Sequence, residues 1–395
     1  MGALSNFVDR GLGFLNRKGR LIRNFDWAEA RDGRQQALEF LQETWSEKTV
    51  LLIEPNRFHA EVLPGYCRLF QQLGFKVVIL MRRDNHQSGV FSRFPPEERP
   101  RCFAMHPRRM RRALGKVNSK CFEFAMLTSA YWSEPHGHFG LFSNYLKKPV
   151  SGRFNFGTIV HEFDHLVPNL ENNEISLKSL AMLSAHEYRG KAIPEINPNY
   201  FGNIVKPPKN NPVVFIAVGN ATARNRGFEK LFSAIQELNA KGYQNFKVQI
   251  VGREGASRAH FPLAPACVEF LGCLDFPELF DRVEKANFFL PLLDPDNAGH
   301  RRYLQGTTTG SRQLILGFCK PAVINITFAK HYGFSSENSI VYSENDLGAG
   351  LVRALELSSD EYDDIKSRLA QYQAKVESTS LRNLRKMIEL TMSSV

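Results

Sequence analysis

The fold is decided between Pro212 and Ile324. The stretch reads PVVFIAVG (212–219), NATARNRGFEKLFSAIQEL (220–238), FKVQIVGREG (246–255), VEFLG (268–272), ANFFLPLLD (286–294) and GTTTGSRQLILGFCKPAVI (306–324). Short β-rich apolar runs alternate with amphipathic helical patterns, and small or polar residues stand where the strands end. That order predicts a parallel sheet with crossover helices, which presents ligands to loops and helix N-termini.

Working outward, the same alternation begins near the amino end. A helix is expected over 28–43, a strand over 49–53, a helix over 61–73 stopped by Gly74, and a strand over 76–80. Further buried strands are expected over 121–128 and 158–160, and a helix over 175–185. Residues 190–211, rich in Pro, Asn and Gly, read as a linker. Downstream, helices are expected over 347–357 and 360–377, followed by a tail. The expectation is therefore two Rossmann-like α/β domains facing a central cleft. The first spans 1–205 and carries a basic segment. The second spans 206–378, and a tail over 379–395 returns toward the first. The 395 residues suit two cores of ordinary size.

The 51 Lys and Arg outweigh the 40 Asp and Glu, giving a formal charge of +11 and a pI of about 9.4. This balance favours polyanions, anionic membrane surfaces or phosphorylated ligands. The run Arg99, Arg101, Arg108, Arg109, Arg111, Arg112, Lys116 and Lys120 contains no acid after Arg99. It reads as a lipid-surface or acceptor-binding segment or as a solvated basic face, with nucleic acid the least favoured partner. The six cysteines form no CxxC pair, so free thiols in a reducing, cytoplasmic setting are expected. No apolar run has the length of a membrane span. Leu4, Phe7, Val8, Leu12, Phe14 and Leu15 beside Arg10, Arg17, Lys18 and Arg20 suit a short segment lying on a membrane, or a loosely docked tail.

Several strand ends carry candidate chemistry. Gly219 and Gly252 follow strands, where backbone can approach a ligand. Arg224 and Arg226 precede a helix and are suited to a diphosphate. Gly306-Thr307-Thr308-Thr309-Gly310-Ser311 opens another helix whose N–H groups and hydroxyls suit a phosphate. Asp294 and Asp296, past another strand, are candidates for contact with a ligand or for a solvated loop. In the first half, Arg57 and His59 follow the first strand, and Arg108 and Arg109 lie in the basic run. These four are the acceptor-side candidates. His136-Gly137-His138 is a weak pair in a Gly-rich loop. His161-Glu162-Phe163-Asp164-His165 spells HExxH, a zinc-hydrolase pattern when helical. Here a strand runs directly into His161 and Pro168 follows almost at once, leaving too little helix to fix two imidazoles.

The ordered series 213–219, 224–227, 251–252, 268–272, 286–291 and 310–321, ending in Gly-Phe-Cys-Lys-Pro, resembles the second domain of GT-B glycosyltransferases, in particular the retaining group 1 (family 4) enzymes. The resemblance covers about 212–343 well and the first half by topology. It implies the GT-B architecture and a retaining transfer of sugar from a nucleotide-sugar to a hydroxyl of a glycan or lipid-linked acceptor. It also implies that no metal cofactor is required. Arg224 would bind the diphosphate, with Arg226 where a Lys is usual and Thr309, Gly310 and Ser311 in the pyrophosphate loop. His161 would face the transferred sugar. Glu162 and Asp164 are the neighbouring acids, either one a general base if the enzyme inverts. The chain departs from the family where a ribose-holding Glu is usual: Leu314 stands there, with Gln313 beside it. Two other readings remain: a zinc metallohydrolase using His161, His165 and Glu187, and a non-catalytic polyanion-binding scaffold.

Overall fold

The run Thr49–Glu54 (β1) alternates its side chains between two cores. Leu51 and Ile53 face one, and Val50 and Leu52 face the other. A strand buried on both faces is a continuous apolar run, which is why TVLLIE shows no polar alternation. The computed structural model describes residues 27–392, apart from 44, 46–47, 58, 118–121, 131–154, 173, 220–226, 253–257 and 344–345, and without the side chains of 27–32 and 165. The N-terminal amphipathic pattern, Lys120, the 136–138 histidines, Arg224 and Arg226 lie outside the described residues.

In the first half, Trp27–Gln42 (α1) precedes β1, and Leu63–Gln72 (α2) leads to Lys76–Met81 (β2). Arg83–Gln87 (α3), Arg101–Ala104 (β3), Pro107–Leu114 (α4), Phe124–Ala130 (β4), Asn155–Val160 (β5), Val167–Glu171 (α5) and Leu180–Met182 (β6) follow. The six strands form one sheet in the order β3-β2-β1-β4-β5-β6, and every pairing is parallel. This is the doubly wound order, and the direction in which successive strands are added reverses between β1 and β4. His186–Tyr188 (β7) and Lys191–Ile193 (β8) make an antiparallel hairpin. Its turn residues Arg189 and Gly190 both have positive φ, the signature of a tight two-residue turn.

The second half repeats the plan. Val213–Val218 (β9), Phe228–Ala240 (α6), Phe246–Val251 (β10), Val268–Gly272 (β11), Phe276–Lys285 (α7) and Phe288–Phe289 (β12) come first. Ala298–Arg301 (α8), Gly310–Gly317 (α9), Val323–Asn325 (β13), Ile326–Tyr332 (α10), Ile340–Tyr342 (β14) and Leu347–Glu356 (α11) complete it. The strands run β11-β10-β9-β12 with β13-β14 beside them, linked by a parallel bridge from Phe289 to Ala322. The reversal here falls between β9 and β12.

Three expectations change. Residues 175–185 are a 3-10 turn over Leu177–Ser179 followed by β6. The buried run Leu180, Ala181, Met182 completes the sheet edge beside β5, where pairing outweighs helical spacing. The expected linker is also more ordered than its composition suggests. Ile196, Asn197, Asn199 and Phe201 are buried, and Gly65 lies so close that an added Cβ would stand 2.4 Å from the backbone of Pro198. Finally, the last helix and tail are one helix, Ser359–Met392 (α12), about 51 Å long at 1.5 Å per residue. Its Tyr362 and Ile365 enter the second core, while Leu384, Met387 and Ile388 enter the first.

Two sets of ion pairs also join the halves. Arg93 holds Glu284 and Asp281 of α7 at 2.7 and 2.6 Å. Arg312 of α9, itself buried, holds Glu195 at 2.6 Å and donates to the carbonyl of Leu183 at 3.0 Å.

Candidate active site

The carboxyl end of β1 closes on an acid. Glu54 is fully buried at the reversal point, and β4 supplies its partners. Thr128 Oγ1 donates to Oε2 at 2.8 Å, Ser129 Oγ donates to the same oxygen at 2.5 Å, and the Asn56 N–H donates to Oε1 at 2.9 Å. Burial nevertheless dominates and pushes the carboxyl up to about 7. The loop then turns through His59, whose φ of 74° is left-handed, into a 3-10 turn, Ala60–Val62. That turn sets His59 Nδ1 3.5 Å from Glu61 Oε1.

From β5 comes His161, 5% exposed. Its ring lies 4.4 Å, centroid to centroid, from that of His59. The two imidazoles are driven apart in acidity. Burial and the neighbouring His59 charge hold His161 well below its ordinary pKa, against a hydrogen bond to the backbone of Thr128. Burial also works against a charged His59. The hydrogen bond to Glu61 and the charges of Glu61, Glu54 and Glu162 outweigh it and raise His59. His161 is thus neutral near pH 7. Its backbone bond leaves Nε2 buried, with no partner among the described residues.

The second half meets this cluster through the turn before α9. Glu162 forms an antiparallel bridge with Thr307. Ser184 and Thr308 share a hydroxyl–hydroxyl hydrogen bond of 2.9 Å. A Cβ on Gly310 would lie 3.9 Å from Glu61 Oε1. Thr309 caps α9, its Oγ1 accepting from the N–H of Ser311 at 3.3 Å. Thr309 and Ser311 are buried, whereas Gly310 is exposed. The side chains of His59 and Glu61 keep 29% and 26% of their surface. His59, Glu61 and Gly310 thus keep solvent access where the two halves meet.

The other candidates fall into three places. Gly219 ends β9 with a φ of 139°, which only glycine adopts readily, and its N–H bonds to Val251 at 3.0 Å. Gly252 bonds similarly to Gly272 at 2.8 Å. Asp294, past β12, is engaged by Lys230 at 2.6 Å. Gln313 is buried in α9, and neither of its amide atoms has a partner among the described residues. Asp164 is exposed and acts electrostatically on His186 rather than joining His161. Asp164–Leu166 is a 3-10 turn, so the HExxH spacing does not ride on a continuous helix. Arg57 lies 3.6 Å from Asp84. With Arg82, Arg108 and Arg109 it surrounds His106, whose pKa falls first through burial and then through these four charges. The ends of β1, β2 and β3 thus form one basic edge. Glu54, Glu61, Thr128 and Ser129 are additions to the candidate set. The only sequence signal was an acid closing an apolar strand, Glu54 before Pro55.

No protein family and no curated protein matches this chain. Among solved structures, an α-glucosyltransferase (AGT) in complex with UDP aligns with a TM-score of 0.53 at 11% identity. The alignment covers 84% of this chain and 96% of that one. The α-glucosyltransferase with UDP and a 13-mer DNA containing an HMU base gives 0.52 at 12% identity, covering 86% and 95%. A complex with UDP and a 13-mer DNA containing a central A:G mismatch gives 0.51 at 13%, covering 86% and 95%. The likeness establishes the fold: two Rossmann-like α/β domains in the GT-B arrangement. It also corrects the expectation that set nucleic acid aside, because structures with this fold were solved with DNA bound.

Proposed function

We propose that the chain is a nucleotide-sugar-dependent glycosyltransferase. The carrying observation is His161: neutral, buried, and next in sequence to the bridge that joins the two halves. With Nδ1–H spent on the Thr128 backbone, Nε2 is a lone-pair acceptor, suited to a hydroxyl of the transferred sugar. The donor diphosphate belongs at the amino end of α9, where exposed Gly310 permits close approach and helix N–H groups favour anions. Arg224 and Arg226 would add charge to the departing diphosphate. The acceptor enters over Arg57, Arg108 and Arg109, an edge that suits a phosphate-bearing glycan or lipid-linked hydroxyl. The DNA held by the similar α-glucosyltransferase places a nucleic-acid hydroxyl among the acceptors to be assayed.

The test is a panel of UDP-, GDP-, ADP- and CMP-sugars, read by thermal stabilisation and by turnover. At least one donor should raise Tm and be consumed. His161→Ala should keep the stabilisation and lose about tenfold in turnover, the equivalent of ~1.4 kcal/mol. A protein that neither binds nor consumes any of them is not this enzyme.

A further inference from the structure

Four arginines gather around one histidine at the carboxyl ends of β1, β2 and β3. We propose that this edge is a phosphate subsite, in which Arg57, Arg82, Arg108 and Arg109 hold a terminal phosphate carried by the acceptor. The inference deepens the glycosyltransferase reading and rests on it for the role of the phosphate, while the binding itself is measured without a donor.

Placement comes first. Arg57 follows the end of β1, Arg82 comes directly after β2, and His106 stands just past β3. In a doubly wound sheet that edge is where ligands bind. Arg57 starts from a fixed neighbour. Asn56 is buried, its Nδ2 donates to the Ser129 carbonyl at 2.9 Å, and its own carbonyl accepts from Asn85 Nδ2 at 2.8 Å. Arg108 and Arg109 stand on the first turn of α4, where His106 Nδ1 accepts from the Arg108 N–H at 3.3 Å. Arg109 lies along α1, its Cδ 3.8 Å from where a Cβ of Gly33 would be. Arg57 also precedes His59, whose ring lies 4.4 Å from that of His161. Two residues of chain span at most about 7 Å, so a phosphate held here leaves the rest of the acceptor within reach of the His161 cluster.

Charge is the second argument. The pKa of His106 is lowered by burial and then by Arg82, Arg108, Arg109 and Arg57. The imidazole therefore sits in a concentrated positive potential, which persists although Asp84 lies 3.6 Å from Arg57. Such a potential draws anions, and the guanidinium fork matches phosphate oxygens. Depth selects the class of anion. Arg82 is 6% exposed and the Arg57 side chain 62%, so the cations are layered from interior to surface. A terminal phosphate offers three oxygens and a charge of about −1.5 to −2, enough to meet both levels. A phosphodiester within a polymer carries a single charge on an extended backbone, which suits a row of exposed cations instead. When the phosphate enters, its charge offsets those of the arginines, His106 takes up a proton, and the imidazolium joins them.

The experiment titrates the His106 ring by NMR, its signal assigned by loss in His106→Gln, with and without inorganic phosphate, pyrophosphate and glycerol 3-phosphate. In the free protein the ring should titrate below its ordinary value, and saturating pyrophosphate or glycerol 3-phosphate should move it upward. The same ring reports the Kd at this edge. Arg57→Gln and Arg108→Gln should each weaken binding about tenfold, the loss of one charge-assisted hydrogen bond. Both side chains are exposed, so these variants should keep the wild-type Tm. Arg111→Gln and Arg112→Gln, on the following turn of α4, should leave binding nearly unchanged. A ring that does not move, or equal losses in all four variants, overturns the inference. So does a short DNA duplex or a phosphatidylglycerol vesicle that moves the ring at lower phosphate concentration than glycerol 3-phosphate does, the mark of a polymer or membrane surface. Phosphate binding without turnover of any donor in the panel above overturns the glycosyltransferase reading and with it the acceptor role, while turnover without phosphate binding overturns this inference alone.

Discussion

Replacing Glu54 by Gln should stabilise the protein at neutral pH and leave it nearly unchanged in acid. Glu54 is wholly buried, and its pKa moves from an ordinary 4.5 to about 7 on folding. Between these values the folded chain holds a proton that the unfolded chain has released. The stability this group contributes is therefore fully present below pH 4.5 and is lost as pH rises to about 7. At about 1.4 kcal/mol per pKa unit, the loss is roughly 3 kcal/mol, a large share of the ~5–15 kcal/mol typical of folded domains. The amide introduced by Glu54→Gln does not titrate and would carry no such loss. Its carbonyl still accepts from the Asn56 N–H, and the Thr128 and Ser129 hydroxyls accept from an amide as readily as they donate to a carboxylate. Urea unfolding followed by tryptophan fluorescence at intervals from pH 5 to 8 measures both proteins. The two stabilities should nearly meet at the acid end and separate by roughly 3 kcal/mol at pH 8. Parallel curves, or a variant less stable at pH 8, would refute the claim that burial governs this carboxyl.

Glu195→Ala should destabilise by about 3–5 kcal/mol, because it strands the buried Arg312 guanidinium. Adding Arg312→Met should recover part of that loss, and a double variant no better than the single would argue against the ion pair. Gly65→Ala should cost about 1–3 kcal/mol or more, since the new methyl meets the Pro198 backbone at 2.4 Å. Gly115→Ala, with nothing nearer than 3.5 Å, is the control and should leave Tm almost unmoved.

The alternation of apolar strands with helices was legible in the sequence from Val50 through Ile324, because a strand buried on both faces must be apolar at every position. Strand ends were legible at Gly219, Gly252 and His161, and a helix start at Thr309–Ser311, where small or capping residues follow an apolar run or open a helix. The segment 175–185 was misread because a three-residue strand and a helical turn carry the same spacing; a vacant edge beside β5 decided between them. Helix α12 was read as two pieces because its two ends serve different cores, and each half carries its own apolar stripe.

The candidate site divides in the same way. Sequence alone marked His59, His161, Gly219 and Thr309–Ser311 as candidates near strand ends or a helix start, and left Glu61, Thr128 and Ser129 unmarked. Tertiary structure decided which of them meet. The order β3-β2-β1-β4-β5-β6 brings β4 against both β1 and β5. Glu54 thereby finds Thr128 and Ser129, and His59 finds His161, more than a hundred residues away in the chain. The opposed acidities of the two histidines, and the raised one of Glu54, exist only after that assembly, because burial and neighbouring charge are properties of the packed interior and not of the chain.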